Sequence, residues 1–110
     1  MTAPGATCDL TGYPRKKGAL QLANANLGGC YLGHADFTNA TATSTNFSAA
    51  YLAGAVFSGT NLMNAQFASA NLLGARFDGA NLKNVRWTSA TCPDGTNSDN
   101  NRGTCIGHLT

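Results

Sequence analysis

The sequence predicts an all-β coil with flat sides, and three observations carry that prediction. A large apolar residue recurs at every fifth position, from Leu22, Leu27, Leu32 and Phe37 through to Leu82 and Trp87, and only Ala42 is undersized. A small residue sits two places before each, in the series Leu20, Ala25, Cys30, Ala35 and onward to Ala80 and Val85. Two places after the large residue stands, very often, Gly or Asn: Asn24, Gly29, Asn39, Gly54, Gly59, Asn64, Gly74, Gly79 and Asn84.

A period of five fits neither the roughly 3.6-residue period of a helix nor the 2-residue period of a strand. Each unit must therefore turn a corner. The small inward residue lets the walls approach, the large one fills the centre, and Gly and Asn tolerate the unusual backbone angles of the turn. Fourteen consecutive units, over 20–91, keep this phase without an insertion. The composition agrees: of 110 residues, 43% are apolar and 11% charged, with a net charge of +2. Disorder normally combines high net charge with few apolar residues, so a single ordered repeat domain is expected.

The unit resembles that of the pentapeptide-repeat family, which reads approximately A-(N/D)-(L/F)-x-x. Ala25-Asn26-Leu27, Ala35-Asp36-Phe37, Ala70-Asn71-Leu72 and Ala80-Asn81-Leu82 match it closely. The resemblance implies a right-handed quadrilateral β-helix with four units per coil, hence about three and a half coils stacked at about 4.8 Å. Residues twenty apart then lie above one another, which predicts core ladders. Phe37, Phe57 and Phe77 form one. Leu27, Phe47, Phe67 and Trp87 form a second, and Leu32, Leu52 and Leu72 a third. Leu22, Ala42, Leu62 and Leu82 form the fourth, with a gap at Ala42.

Two segments do not repeat, and both are expected to cap the open ends of the coil, as solenoids require. Residues 1–19 form the N-terminal cap and 92–110 a C-terminal loop cap. In the four-unit register Cys30 and Cys92 are about three coils, or roughly 15 Å, apart, too far for a disulfide. The expected pairs are Cys8–Cys30 and Cys92–Cys105. An even cysteine count in a short chain points to an oxidising compartment. The tail Cys92-Pro93-Asp94-Gly95, ending in Gly103-Thr104-Cys105, is similar to one on some secreted bacterial members of the family. A secreted or periplasmic protein is expected, although 1–7 has neither the basic start nor the apolar stretch of a signal peptide. No apolar run approaches the ~18 residues of a membrane-spanning helix.

Several side chains invite a functional reading. Asp94, Asn97, Asp99 and Asn101 supply oxygens that Ca²⁺ could use, but without EF-hand spacing; a disulfide-closed loop of Asx turns is the plainer reading. Cys92, Cys105 and His108 fall one short of the four ligands of structural zinc, so no metal or other cofactor is expected. Tyr31 and Tyr51, twenty apart and facing outward, form either a stabilising aromatic ladder or a surface that holds a sugar ring or a partner. Arg15, Lys16 and Lys17 lie at one end and Arg76, Lys83 and Arg86 at the other, with Asp78 nearby; they make no continuous nucleic-acid track. Thr41, Thr43 and Thr45 do not repeat on successive coils as an ice-binding row would.

No catalytic constellation is visible, since the chain has only five acidic residues and two histidines. The expected function is that of an exported, non-enzymatic structural or binding module, monomeric, whose partner is an unknown protein or glycan. The alternative is a gyrase-interacting mimic of DNA, as some family members are. That mimicry needs an acidic rod, whereas 20–91 holds Arg76, Lys83 and Arg86 against Asp36 and Asp78. The regular phase also fits an engineered or trimmed repeat scaffold, against which the irregular ends argue.

Overall fold

A computed structural model describes residues 20–109. The N-terminal cap expected over 1–19, with Cys8 and the basic run Arg15, Lys16 and Lys17, lies outside the described residues. Between Gln21 and Thr91 every fifth residue forms a parallel bridge to the residue twenty further on, as in Gln21 to Thr41, Thr41 to Asn61 and Asn61 to Asn81. Twenty residues, or four repeat units, therefore make one circuit. The bridges are single-residue contacts because each side is extended for only two or three residues before the next corner.

Each side is tied to the next coil by the same pattern. The Phe57 N–H donates to the Arg76 carbonyl at 2.7 Å and the Gly59 N–H to the Asp78 carbonyl at 2.8 Å; the Asn61 N–H donates back to the Ala40 carbonyl at 3.0 Å. Every corner is closed by a bond from the small residue's N–H to the preceding large residue's carbonyl, such as Ala55 to Leu52 at 2.9 Å. The residue before that donor has positive φ in all fourteen units, as a type II turn requires of its third residue. At Gly59 (φ +67°) a Cβ would lie 2.3 Å from Asn39 Oδ1, so a side chain there would have to push the Asn39 amide aside. The corners are broader in residue type than Gly and Asn: His34, Ser44, Ala49, Ser69 and Ser89 adopt φ between 55° and 60°. Four of these five are not the residues that favour this conformation, and the stacked coils hold them in it.

The Asn or Asp of the repeat motif has a structural task. Asn26, Asp36, Asn46, Asn61, Asn71 and Asn81 each accept, through Oδ1, the N–H two residues ahead, at 2.9–3.2 Å. This Asx turn satisfies an N–H that would otherwise face solvent at the corner.

The interior is made of the predicted ladders. Phe37, Phe57 and Phe77 stack with centroids 5.0 Å apart, and Phe47, Phe67 and Trp87 at 5.1 and 5.5 Å. The two ladders meet edge to face, for example Phe57 against Phe67 at 5.7 Å, which suits the ring quadrupoles. Leu32, Leu52, Leu62 and Leu72 complete the filling, and Ala42 is fully buried among them. Thr45 and Thr60 take inward positions normally held by Ala and are also fully buried. Their hydroxyls donate to the carbonyls of Leu22 and Phe37, both at 2.7 Å, so neither is left unsatisfied.

The register runs past 91: Cys92 fills the next large position, fully buried, and the Gly74 N–H still reaches the Pro93 carbonyl at 3.0 Å. The chain then leaves the coil. Thr91 pairs antiparallel with Asn97, and a 3₁₀ turn, Ser98–Asn100, lies against the last coil. Among the described residues no helix is long and apolar enough to cross a membrane.

Candidate functional site

The coil has four sides, and one carries the tyrosines. Tyr31, Tyr51, Asn71 and Thr91 stack along it by successive bridges. Tyr31 is 47% and Tyr51 45% exposed, with ring centroids 6.3 Å apart at an interplanar angle of 75°. Tyr51 leans toward the first coil: a Cβ on Gly33 would come within 3.2 Å of its ring. A side chain at 33 would have to displace that ring, so the sequence's glycine there is part of the tyrosine arrangement. The pair stabilises itself, as cross-strand aromatic neighbours do, and still presents ring surface to solvent.

The tail from Cys92 to Leu109 gathers the other candidates. Cys92 and Cys105 form a disulfide with Cα atoms 5.3 Å apart, and both are fully buried. Cys30, in the first coil, is also disulfide-bonded and buried, while Cys8, the partner expected for it, lies outside the described residues. Of the four oxygen residues considered for calcium, three have their side-chain oxygens committed elsewhere. Asp94 accepts the Thr96 N–H and hydroxyl through Oδ1 and reaches His108 Nδ1 at 2.7 Å through Oδ2. Asn97 caps the 3₁₀ turn by accepting the Asp99 N–H. Asp99 accepts the Ser89 N–H and hydroxyl at 2.9 and 2.8 Å. Asn101 donates to the Thr96 hydroxyl at 2.8 Å. Among the described residues no group of three or more His, Cys, Asp or Glu side chains converges as metal ligands do.

The electrostatics follow from these bonds. The Thr96 hydroxyl and N–H, with His108 adding to them, hold the Asp94 carboxyl down at about 2, from an ordinary 3.8. The Ser89 hydroxyl and N–H lower Asp99 in the same way, since all of these donors favour the charged form.

Sequence reasoning missed the hook that seats the tail. Ser98 is fully buried; its hydroxyl donates to the Trp87 carbonyl and accepts the Ala90 N–H at 3.0 Å, and its own N–H donates to the Ala90 carbonyl at 2.9 Å. Asp99 on Ser89 completes it. The one signal in the sequence was a Ser-Asp pair in a polar loop, indistinguishable there from a solvated turn. The basic side chains are dispersed: Arg76 pairs with Asp78 at 2.8 Å on one side, and Lys83 and Arg86 belong to two others. Thr45 points inward, so the three threonines do not share a surface.

Comparison with known proteins agrees with this architecture. The family model described as "Pentapeptide repeats" matches in eight copies over residues 21–59 and 45–84, more than half of the chain. Among curated proteins none matches. Among solved structures, the chain is similar to a pentapeptide repeat protein (Rfr23) from the cyanobacterium Cyanothece 51142, with 26% identity and a TM-score of 0.62, covering 64% of this chain and 48% of that one. It is also similar to HetL, a pentapeptide repeat protein involved in heterocyst differentiation regulation from the cyanobacterium Nostoc sp. strain PCC 7120, at 28% identity and a TM-score of 0.49, covering 86% and 45%. QnrB1, a plasmid-mediated fluoroquinolone resistance protein, aligns at 20% identity with a TM-score of 0.31, covering 76% of this chain and 59% of that one. The chain spans less than half the length of the first two of these structures. The chain belongs to the pentapeptide-repeat family, and its fold is that family's right-handed quadrilateral β-helix.

Proposed function

We propose that the protein is an exported, non-enzymatic structural or binding module: a β-helix of about three and a half coils, with disulfide-stapled caps at both ends and a partner, protein or glycan, that contacts the Tyr31–Tyr51 side. The observation that carries this reading is the Cys92–Cys105 disulfide, fully buried beneath a tail that is hooked to the last coil by Ser98 and Asp99. Disulfides of this structural kind belong to oxidising compartments. In this reading the short, uncharged side chains of the walls keep the coil soluble, and the tail occupies the end of the coil, so that the protein is monomeric.

A non-reducing peptide map with a free-thiol count, on protein prepared without reductant, tests it. Two bridges, Cys8–Cys30 and Cys92–Cys105, are expected. Four free thiols would overturn export and return intracellular partners to the front. Light scattering is expected to give one chain mass; twice that mass would overturn the monomer. A DNA-supercoiling assay separates the gyrase-binding alternative, and no inhibition of gyrase is expected, because 20–91 lacks the acidic charge that imitates DNA.

A further inference from the structure

We propose that the last coil carries an open β edge, over 75–86, that takes an extended, acidic segment of a partner protein as one further strand. Between inner coils, each side hands three backbone bonds to the coil after it. On the Leu62 side, the Leu62 and Asn64 N–H groups donate to the Asn81 and Lys83 carbonyls, and the Thr60 carbonyl accepts the Asn81 N–H. In the last coil the tail supplies substitutes only near its own root. Asp99 accepts the Ser89 N–H, the Ser98 N–H donates to the Ala90 carbonyl, and the Cys92 and Asp94 N–H groups donate to the Thr96 and His108 carbonyls. On the Phe77 and Leu82 sides nothing replaces the missing coil. Among the described residues, the N–H groups of Phe77, Gly79, Leu82 and Asn84 and the carbonyls of Ala75 and Ala80 have no partner. The side chains agree at Leu82: Thr60, Leu62 and Ala65 are fully buried, whereas Ala80, Leu82 and Val85, twenty residues on, stay partly exposed.

The edge selects its occupant. Each open side offers two N–H groups and one carbonyl at the spacing of a parallel strand. Only a polypeptide backbone presents carbonyls and N–H groups alternately at that spacing, and a helix has already used its own. The match is therefore an extended segment added to the edge, as in strand addition to a sheet. One apolar side chain of that segment covers Leu82 and Val85, and its outward side chains emerge beside Lys83 and Arg86. These two cations are exposed and in no ion pair among the described residues, whereas Arg76 is held by Asp78 at 2.8 Å. Carboxylates on the incoming segment complete them. The same charges disfavour a second copy. Two identical ends would set Lys83 and Arg86 of one chain against those of the other, and a lysine on an edge guards against self-pairing. This surface is separate from the Tyr31–Tyr51 side and does not depend on it.

The test is amide hydrogen exchange on the isotope-labelled, disulfide-intact protein, with a peptide of two A-D-L-S-G units as the probe. In the free protein, the amides of Phe77, Gly79, Leu82 and Asn84 should exchange much faster than those of Phe57, Gly59, Leu62 and Asn64. Millimolar acidic peptide should slow exchange at Leu82 and Asn84 about tenfold, while Ser89, already bonded to Asp99, is unchanged. A peptide of two A-K-L-S-G units, and the acidic peptide with alternate backbone amides N-methylated, should give no protection. Lys83→Glu and Arg86→Glu, both exposed, should each weaken the acidic peptide about fivefold; circular dichroism melts confirm that the variants are folded. No protection by the acidic peptide, equal binding of the lysine peptide, or binding indifferent to both charge reversals would each overturn the proposal. So would protection of the edge amides in the free protein with a doubled mass in light scattering, which would give the edge to a second copy. A failed peptide experiment leaves the thiol count untouched, so the two readings fail separately.

Discussion

The coil and the tail hold themselves together by opposite means. In the coil, residues 20–91, one local rule is applied fourteen times, and each application is held by a corner bond to the residue three before and by bonds to residues about twenty away. Stability is distributed: any inward residue touches the coils above and below, and no single contact is unique. In the tail, residues 92–109, nothing repeats. Its position rests on one disulfide, one buried serine and two aspartates, each used once. A periodic structure tolerates imperfect corners such as Ala49, because its neighbours enforce the shape. An aperiodic one depends on the few residues that anchor it.

The largest expected effect lies in the middle of the coil. Phe57→Ala removes the central rung of a ladder, between Phe37 and Phe77. It should cost about 3–5 kcal/mol in chemical denaturation, and a variant as stable as the parent would refute the ladder register. Replacing both Cys92 and Cys105 with Ala opens a crosslink with a sequence separation of 13, worth about 3 kcal/mol in the chain-entropy account. The loss should be local: hydrogen exchange accelerates over 92–109 while amides around Phe57 keep their protection. Equal loss in both regions would erase the distinction between coil and tail.

Smaller effects sharpen it. Thr60→Val keeps the shape but removes the hydroxyl bonded to the Phe37 carbonyl, for about 1 kcal/mol. That carbonyl also accepts the Ala40 N–H, so it is not orphaned. Ala49→Gly relieves a φ of +60°. It should stabilise the coil by about 0.5 kcal/mol, since the relief of roughly 1–2 kcal/mol is partly offset by glycine's entropy. No gain in the melting temperature would show that the stacked coils already absorb the strain. The last effect is a pH dependence. The Asp94 carboxyl is lowered to about 2 in the folded tail. Its contribution is therefore complete above the unfolded value of 3.8 and is lost as pH falls through about 2. Exchange over 92–109 should rise across that acid window, and Asp94→Asn should reduce the dependence to the part that Asp99, also lowered, contributes, without touching the coil.

What could be read in advance follows the same division. The ladders Phe37–Phe57–Phe77 and Phe47–Phe67–Trp87 were legible because the five-residue period marks the inward residues and the family resemblance implies four units per circuit. The tyrosine side was legible for the same reason, since twenty residues separate Tyr31 from Tyr51. The corners were half legible: glycine and asparagine announce themselves, whereas Ala49 and Ser69 bend only because the coils around them do. The tail was the least legible. Asp94 and Asp99 read as members of a disulfide-closed loop of Asx turns, and the particular partners of their oxygens, Thr96, His108 and Ser89, could not be named from spacing.

By itself, then, the sequence determined that the chain turns a corner every five residues and which residues point inward, because a five-residue period repeated fourteen times fits neither helix nor strand; the resemblance to the pentapeptide-repeat family implied the four-unit circuit that aligns the sides. Tertiary structure alone decided how the tail lies: Ser98 can satisfy its hydroxyl and N–H against Trp87 and Ala90 only after the last coil has presented those groups in space.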